Sequence, residues 1–450
     1  MKYKINIPPN ANKIIHTLQS AGYKAFIVGG CVRDSIMNRP PHDWDICTSA
    51  RPDRVIDIFK NYNVVKTGLQ HGTVTIIIND EQYECTSFRI DGEYTDNRRP
   101  NNITFVDNLL EDLKRRDFTI NAIAYNDKDG LIDPFDGIGD IKRGIIQCVG
   151  EAEDRFHEDI LRILRAIRFA AQLNFSIEDN TDAEIRQQFT NLNNISVERI
   201  TSEFNKIVIS DSFFGIMMEY RVVFAELIPE LRCTFMFPQN NPHHSFDLFT
   251  HILWTVAYCP KDDLIIRLAA LFHDIGKPRS YQDGEDGIRH FKGHGQIGAN
   301  ITDTIMRRLK YDNDTRKKVV QLVYYHDATF KVGKKYVRRW LNKLGEEQFR
   351  RLLHLRRGDI KGQKLLYDTE KVEVIDTIEK LIDEVLQENQ CFTLKNLAIN
   401  GNDLIQIGYE PNKKLGETLN MLLNGVINEQ YENDKDILLS AAKQLIESEE

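Results

Sequence analysis

Near Gly150 the hydrophobic rhythm of the chain changes. Before it, apolar residues come in short runs, Ala25 to Val28, Thr73 to Ile78 and Gln82 to Phe88, separated by turn clusters; runs of that length and composition are strands. After it, Ile160, Leu161, Leu164 and Ile167 recur at helical spacing from His157 to Phe175, with Arg162, Arg165 and Arg168 interleaved, and a helical period does not fit a pleated strand. The expected architecture is therefore an α/β head with a mixed sheet over residues 1–145, in which Ser20 to Gly22 ends a first helix, followed by all-α segments. The turn-rich stretch Phe237 to Ser245 divides a helical neck and body, 146–245, from a further helical domain at 246–365, and a helical C-terminal region, 366–450, closes the chain with the acidic residues Glu447 to Glu450. At 450 residues, 41% of them hydrophobic, the chain has material for several buried cores.

Several function classes drop out at this point. The formal net charge of −8 provides no global basic field, so any grip on nucleic acid rests on local patches. Seven cysteines, Cys31, Cys47, Cys85, Cys148, Cys233, Cys259 and Cys391, are scattered and never spaced C-x-x-C, which argues against a disulfide framework and a zinc ribbon. Apolar runs such as Val74 to Ile78 are far too short to span a bilayer. The expectation is a soluble cytoplasmic protein without membrane contact, a monomer or homodimer.

The first chemical constellation lies in the head. In V-G-G-C-V-R-D (Val28 to Asp34), Gly29 and Gly30 sit where a strand gives way to a helix, so bare backbone N–H groups can hold phosphate. H-D-W-D-I-C-T follows, with Asp43 and Asp45 two residues apart; on a strand both carboxylates point the same way and form a perch for a divalent metal. Glu84, in Y-E-C-T, offers a third carboxylate. Clustered carboxylates are what phosphoryl transfer by two Mg²⁺ ions about 4 Å apart requires. Such acid pairs are also common on solvated loops, so the pair gains weight only from its surroundings.

Those surroundings resemble the class II nucleotidyltransferase signature of tRNA CCA-adding enzymes and bacterial poly(A) polymerases. Further blocks match in order: R-R-D-F-T-I-N-A (Arg115 to Ala122), D-P-F-D-G (Asp133 to Gly137), E-D-x-x-R (Glu158 to Arg162) and S-x-E-R (Ser196 to Arg199). The resemblance implies a nucleotidyltransferase head with Asp43, Asp45 and Glu84 catalytic, the first two holding Mg²⁺. It implies nucleotide contacts from Gly29, Gly30, Arg33, Asp34, Arg116, Asp117, Asn121, Asp159, Arg162 and Arg165, with CTP and ATP as substrates and tRNA as partner. Asp159 and Arg162, three apart on one expected helix face, would present an acceptor and donors to a base edge. The polar stretch R-I-D-G-E-Y-T-D-N-R-R-P (Arg89 to Pro100) is similar to the loop of relatives that complete CCA or add A.

A second constellation reads H, HD, H, H, D: His251, His273 with Asp274, His294, His326 and Asp359. Imidazoles and carboxylates together suit a transition metal or Mg²⁺, and so large a set can hold two ions. A-L-F-H-D-I-G-K-P (Ala270 to Pro278) places His273 and Asp274 at the end of an apolar helix before a glycine stop, and resembles the HD phosphohydrolase superfamily. Asp327, next to His326, remains an alternative last ligand to Asp359. For some CCA-adding relatives the resemblance implies phosphatase or 2′,3′-cyclic phosphodiesterase activity for tRNA end repair.

Lys331, Lys334, Lys335, Arg338, Arg339 and Lys343, with Tyr336 and Trp340 among them, form a basic and aromatic stretch suited to phosphates and an exposed base, or simply a solvated face. The rival readings are a poly(A) polymerase or A-adding enzyme, which shares the head motifs; an alarmone synthetase/hydrolase type, which carries its HD part first; and an RNA-binding protein with a relic site.

Overall fold

The structure, a computed structural model, describes residues 4–92 and 102–447. Residues 93–101, which hold most of the loop read between Arg89 and Pro100, and the acidic end 448–450 lie outside the described residues. The chain forms two compact units, Met1–Pro229 and Glu230–Glu450.

In the first unit the short apolar runs become β1 (Ala25–Val28), β2 (Ile46–Thr48), β3 (Asn63–Val65), β4 (Thr73–Ile78), β5 (Glu81–Ser87), β6 (Arg89–Asp91), β7 (Ile103–Phe105), β8 (Ala124–Asn126) and β9 (Gly130–Ile132). Seven of them make one sheet in the order β3-β4-β5-β2-β1-β8-β9, while β6 and β7 pair as a separate hairpin. The β2–β5 pair is parallel and the other neighbours are antiparallel, so the sheet is mixed as expected. Alternation along β1 builds a core on each face: Ala25 and Ile27 pack with Ile14, Ile15 and Leu18 of the helix Pro9–Ser20, whereas Phe26 and Val28 pack with Phe88 and Leu113.

Helices follow, among them Ala152–Glu158, Arg162–Leu173, Asp179–Gln188 and Val197–Val208. Ile163, Leu164, Ala166 and Ile167 bury the apolar stripe of Arg162–Leu173. The expected continuous helix from His157 is broken at Asp159, which is extended (φ −145°, ψ 100°) and whose Oδ1 accepts from the Leu161 N–H at 3.1 Å. An aspartate that can cap the next turn competes with the helix it interrupts.

The second unit is almost wholly helical: Leu248–Tyr258, Leu264–Phe272, His294–Arg308, Asn313–Tyr325, Lys334–Leu344, Glu346–Gly362 and Thr369–Gln387, then Gly401–Gln406, Lys413–Ile427 and Lys435–Glu447. It departs from an all-α domain in one small hairpin, Gln282–Asp283 against Arg289–His290. Turn chemistry explains it: Asp286 Oδ1 accepts from the Ile288 N–H at 3.0 Å, Gly287 takes φ +78°, and Arg289 pairs with Asp283 across the strands at 2.6 Å. Among the described residues, no helix is long and apolar enough to cross a membrane.

Candidate functional site

The head site gathers around the end of β1. Gly29 has φ +82°, a left-handed conformation that favours glycine, and a Cβ there would lie 3.3 Å from an Nη of Arg116. The helix Gly30–Ile36 begins at the next residue. Asp43 and Asp45 lie on the extended run into β2 rather than in the strand, with Asp43 exposed and Asp45 half-buried. The parallel register Ile46↔Cys85 brings Asp45 beside exposed Glu84. Burial pushes the Asp45 carboxyl above its usual range, Arg116 opposes that, and Glu84 and Asp43 add to it. A half-buried carboxylate flanked by two others is relieved by a bound cation, which fits Mg²⁺.

Arg116 faces this acidic edge. One Nη lies 3.4 Å from Asp112, a fully buried carboxylate that also accepts from Arg115 at 2.7 and 2.9 Å, and its buried Nε has no hydrogen-bond partner. A guanidinium beside a glycine turn has the donor chemistry that holds a phosphate.

The remaining predicted nucleotide residues form one polar chain. Arg33 holds Asp34 at 2.8 Å and donates to the Asn121 side-chain oxygen at 2.7 Å; the Asn121 amide donates to Asp117 at 3.1 Å; Asp117 accepts from Arg165 Nε at 2.9 Å. Burial of Asp117 opposes its ionisation, but Arg165 and Arg162 outweigh burial and hold its carboxyl well below the usual range. Asp159 and Arg162 meet through the backbone, the Arg162 N–H donating to the Asp159 carbonyl at 2.9 Å, while their side chains take other partners. Asp159 sits on the extended break and accepts from Arg199 at 2.7 Å, while buried Arg162 spends its donors on Glu158 at 2.5 Å and the carbonyls of Arg155 and Arg115 at 3.0 and 3.1 Å. Asp133 turns out to be an anchor, accepting from the Gly137 and Ile138 N–H groups at 2.8 Å.

Sequence reasoning missed Phe169, whose ring lies under three guanidinium groups, Arg33 at 5.0 Å, Arg165 at 5.5 Å and Arg168 at 3.9 Å. The arginines interleaved with the apolar stripe were the available signal. Asp112 also went unread.

In the second unit the six H, HD, H, H, D residues converge, all buried. His251 Nε2 lies 3.1 Å from His273 Nε2, 3.2 Å from Asp274 Oδ2 and 3.3 Å from Asp359 Oδ1. His294 Nε2 and His326 Nε2 lie 3.0 Å apart, at 3.3 and 3.4 Å from Asp274 Oδ1. Asp274 thus offers one oxygen to each half of the cluster. His273, His294 and His326 each donate Nδ1–H to a backbone carbonyl, of Ala270, Phe291 and Val323, at 2.7 Å, which leaves Nε2 as an inward lone pair. Lone pairs and carboxylates converging this closely repel unless cations lie among them, so the donor set fits one or two metal ions.

Burial would lower the His251 pKa, but hydrogen bonds to Asp274 and Asp359 raise it to about 9. Burial opposes ionisation of Asp274 as well, yet His273 and Lys277 hold it well below the carboxylate range. Asp327 is not in the cluster: its side chain is 61% exposed and lies 3.5 Å from Arg356, which bridges to Asp359 at 2.7 Å. Gly276 is no left-handed helix stop, since its φ is −80°; it allows close approach, as a Cβ would lie 2.2 Å from the His294 carbonyl. A cavity of about 420 Å³ opens onto the cluster, lined by Lys277, Arg289, Lys292, Arg356 and Lys371 among others. Buried Lys277, which reaches Asp274 at 2.7 Å and Gln239 at 2.8 Å, was also missed.

The basic stretch is largely spent within the fold. Lys334 pairs with Glu384 and Glu388, Arg338 with Glu429, and Trp340 packs on Phe330 and Phe349 instead of presenting a free ring.

Comparison with known proteins decides the family. The family model described as the poly A polymerase head domain matches residues 25–147, one described as an RNA and SrmB binding site of polymerase A matches 174–233, and one for tRNA nucleotidyltransferase domain 2 matches 296–442. The CCA-adding enzyme of Lactobacillus delbrueckii subsp. bulgaricus is 35% identical over 94% of this chain and 95% of its own length. The chain belongs to the CCA-adding enzyme family. The CCA-adding enzyme of Enterococcus faecalis is 34% identical over 98% of both chains. Among solved structures, the CCA-adding enzyme of Bacillus stearothermophilus in complex with CTP is 28% identical with a TM-score of 0.72, covering 98% of this chain and 99% of that one. As a member of the family the chain is a tRNA nucleotidyltransferase, with the nucleotidyltransferase head and mixed sheet that the sequence led us to expect.

Proposed function

We propose that the chain adds CMP and AMP from CTP and ATP to tRNA 3′ ends, completing the CCA terminus without a nucleic-acid template, in the cytoplasm. The observation that carries this is the juxtaposition of Asp43, Asp45 and Glu84 with Arg116 across the Gly29 turn, in a chain whose Bacillus relative binds CTP. Asp43 and Asp45 would hold Mg²⁺, which when bound neutralises triphosphate charge and favours ionisation of the attacking 3′ hydroxyl. The protein's part is positioning and charge. Gly29, whose own N–H is spent on the Ile123 carbonyl at 3.1 Å, shapes the turn that offers the Gly30 N–H to a phosphate; Arg116 and Arg33 supply guanidinium donors, the first oriented by Asp112 and the second by the Asn121–Asp117–Arg165 chain. Asp159, held by Arg199, presents an acceptor to the incoming base, and Arg162 stabilises the turn that carries it. On this reading 1–145 is the catalytic head and 146–245 the selecting neck and body.

For residues 246–365 we propose a metal-dependent phosphohydrolase of the HD type, a phosphatase or 2′,3′-cyclic phosphodiesterase, beside a helical region at 366–450. Its support is the six buried donors, joined by half-buried His244 beside His251 and Asp274, opening on a cavity rimmed by cations. The order of the two parts is the reverse of the alarmone enzymes.

The test incubates the protein with Mg²⁺, labelled CTP and ATP, and tRNAs ending before CCA, after C or after CC. Completion of all three to CCA supports the proposal. Long A tails without use of CTP identify a poly(A) polymerase, and no extension contradicts the nucleotidyl-transfer reading.

A further inference from the structure

We infer that Phe169 is a positioning residue for nucleotide binding, its ring serving as a common platform on which Arg33 and Arg165 are held at the spacing the triphosphate and base require. The inference rests on the nucleotidyl-transfer reading above.

Phe169 lies on the helix Arg162–Leu173, 5% exposed, with its ring edge-on to Phe118 at 5.8 Å. Three guanidinium carbons stand 3.9 to 5.5 Å from its centroid. Three like charges around one ring repel one another, and a core position whose only task was packing would have no reason to collect them. Each is balanced by its own acceptor: Arg33 by Asp34 and Asn121, Arg165 by Asp117, Arg168 by Glu203 at 2.5 Å. Arg33 and Arg165 are consequently linked twice, once through the Asn121–Asp117 hydrogen bonds and once through the negative π face of Phe169. The double link fixes the plane of each guanidinium as well as its place.

Plane matters because a guanidinium recognises phosphate or a base edge through a flat fork of donors. Arg165 shows what the ring leaves available: Nε and one Nη are spent on Asp117, and the side chain is still 34% exposed. Arg168, closest to the ring, is buried and tied to Glu203, and so anchors the ring itself.

The test compares wild type with Phe169→Leu, which stays apolar but removes the π face and some volume, and Phe169→Tyr, which keeps the π face. Steady-state addition of CMP and AMP to tRNA is measured together with direct CTP binding by calorimetry and with Tm. The expected result is a five- to tenfold rise in KM and Kd for CTP and ATP in Phe169→Leu, with kcat and the KM for tRNA within twofold of wild type and near wild-type nucleotide affinity in Phe169→Tyr. A Phe169→Leu protein with unchanged nucleotide KM and a lowered Tm overturns the proposal, as does a Phe169→Tyr protein as impaired as Phe169→Leu. Should Phe169→Leu fail to fold, CTP binding by Phe169→Tyr and Phe169→Met decides: affinity lost in Met and kept in Tyr supports the platform, and affinity kept in both, or lost in Tyr, overturns it. Wild-type protein with no affinity for CTP overturns the nucleotidyl-transfer reading itself and this role with it.

Discussion

The two sites of this chain are built in opposite ways. In the head, Asp43 and Glu84 are exposed and Asp45 half-buried, and no three ligand atoms of this acidic edge approach within metal-binding distance of one another among the described residues. The arginines there are prearranged and the acids are not, so on the proposed reading metal and triphosphate would complete the site together. In the second unit, six candidate ligands are buried and within 3.0–3.4 Å of their neighbours. Burying such groups together is costly; Lys277 and Arg356 offset part of it through Asp274 and Asp359, and a metal bound among the imidazoles, as proposed above, would offset the rest.

The contrast can be broken most sharply at Asp274. Its two oxygens serve both halves of the cluster, so Asp274→Ala should abolish metal retention in the second unit and cost about 3–5 kcal/mol by leaving Lys277 and the imidazoles unbalanced. Elemental analysis after gel filtration, with Tm, checks this; a variant that keeps stoichiometric metal shows that Asp274 is not a ligand.

A smaller effect is expected in the head. Arg116→Lys replaces a fork with a point charge and should raise the KM for CTP and ATP about tenfold, roughly 1.4 kcal/mol, with little change in Tm. An unchanged KM would place the triphosphate away from Arg116.

Reading these sites from sequence worked where motif spacing and local structure coincide. The period change near Gly150 and the runs of β1, β4 and β5 gave the mixed sheet and helical remainder, because alternation and helical stripes are properties of the chain itself. That the six second-unit residues would come together was legible because the H, HD, H, H, D order, with a histidine next to an aspartate at an apolar helix end, resembles the HD superfamily. What was not legible depends on tertiary contact. That Asp159 leaves the helix and takes Arg199, forty residues on, is decided by a fold. The same holds for Phe169 gathering three arginines, for Asp112 holding Arg115 and Arg116, and for Trp340 packing inward although its neighbours are lysines and arginines.

The smallest effect concerns acid stability. Asp117 has a carboxyl held below its usual range in the folded chain, so it contributes stability that is present above its unfolded value of about 3.9 and lost as pH falls through the folded value. Asp117→Asn should therefore flatten the decline of first-unit stability below about pH 4, measured by denaturant titration at stepped pH. An equally steep decline in the variant would mean that the Arg165 pair contributes nothing to folding.

The central claim is that one chain carries two chemically independent sites. The most direct measurement assays two variants, Asp43→Ala/Asp45→Ala and His273→Ala, side by side for nucleotide addition to tRNA and for metal-dependent hydrolysis of a 2′,3′-cyclic nucleotide and a phosphomonoester. The account predicts that the first variant loses addition by a thousandfold or more, several kcal/mol of transition-state stabilisation, and keeps hydrolysis, while the second does the reverse. Loss of both activities in either variant, or addition that survives without Asp43 and Asp45, would contradict it.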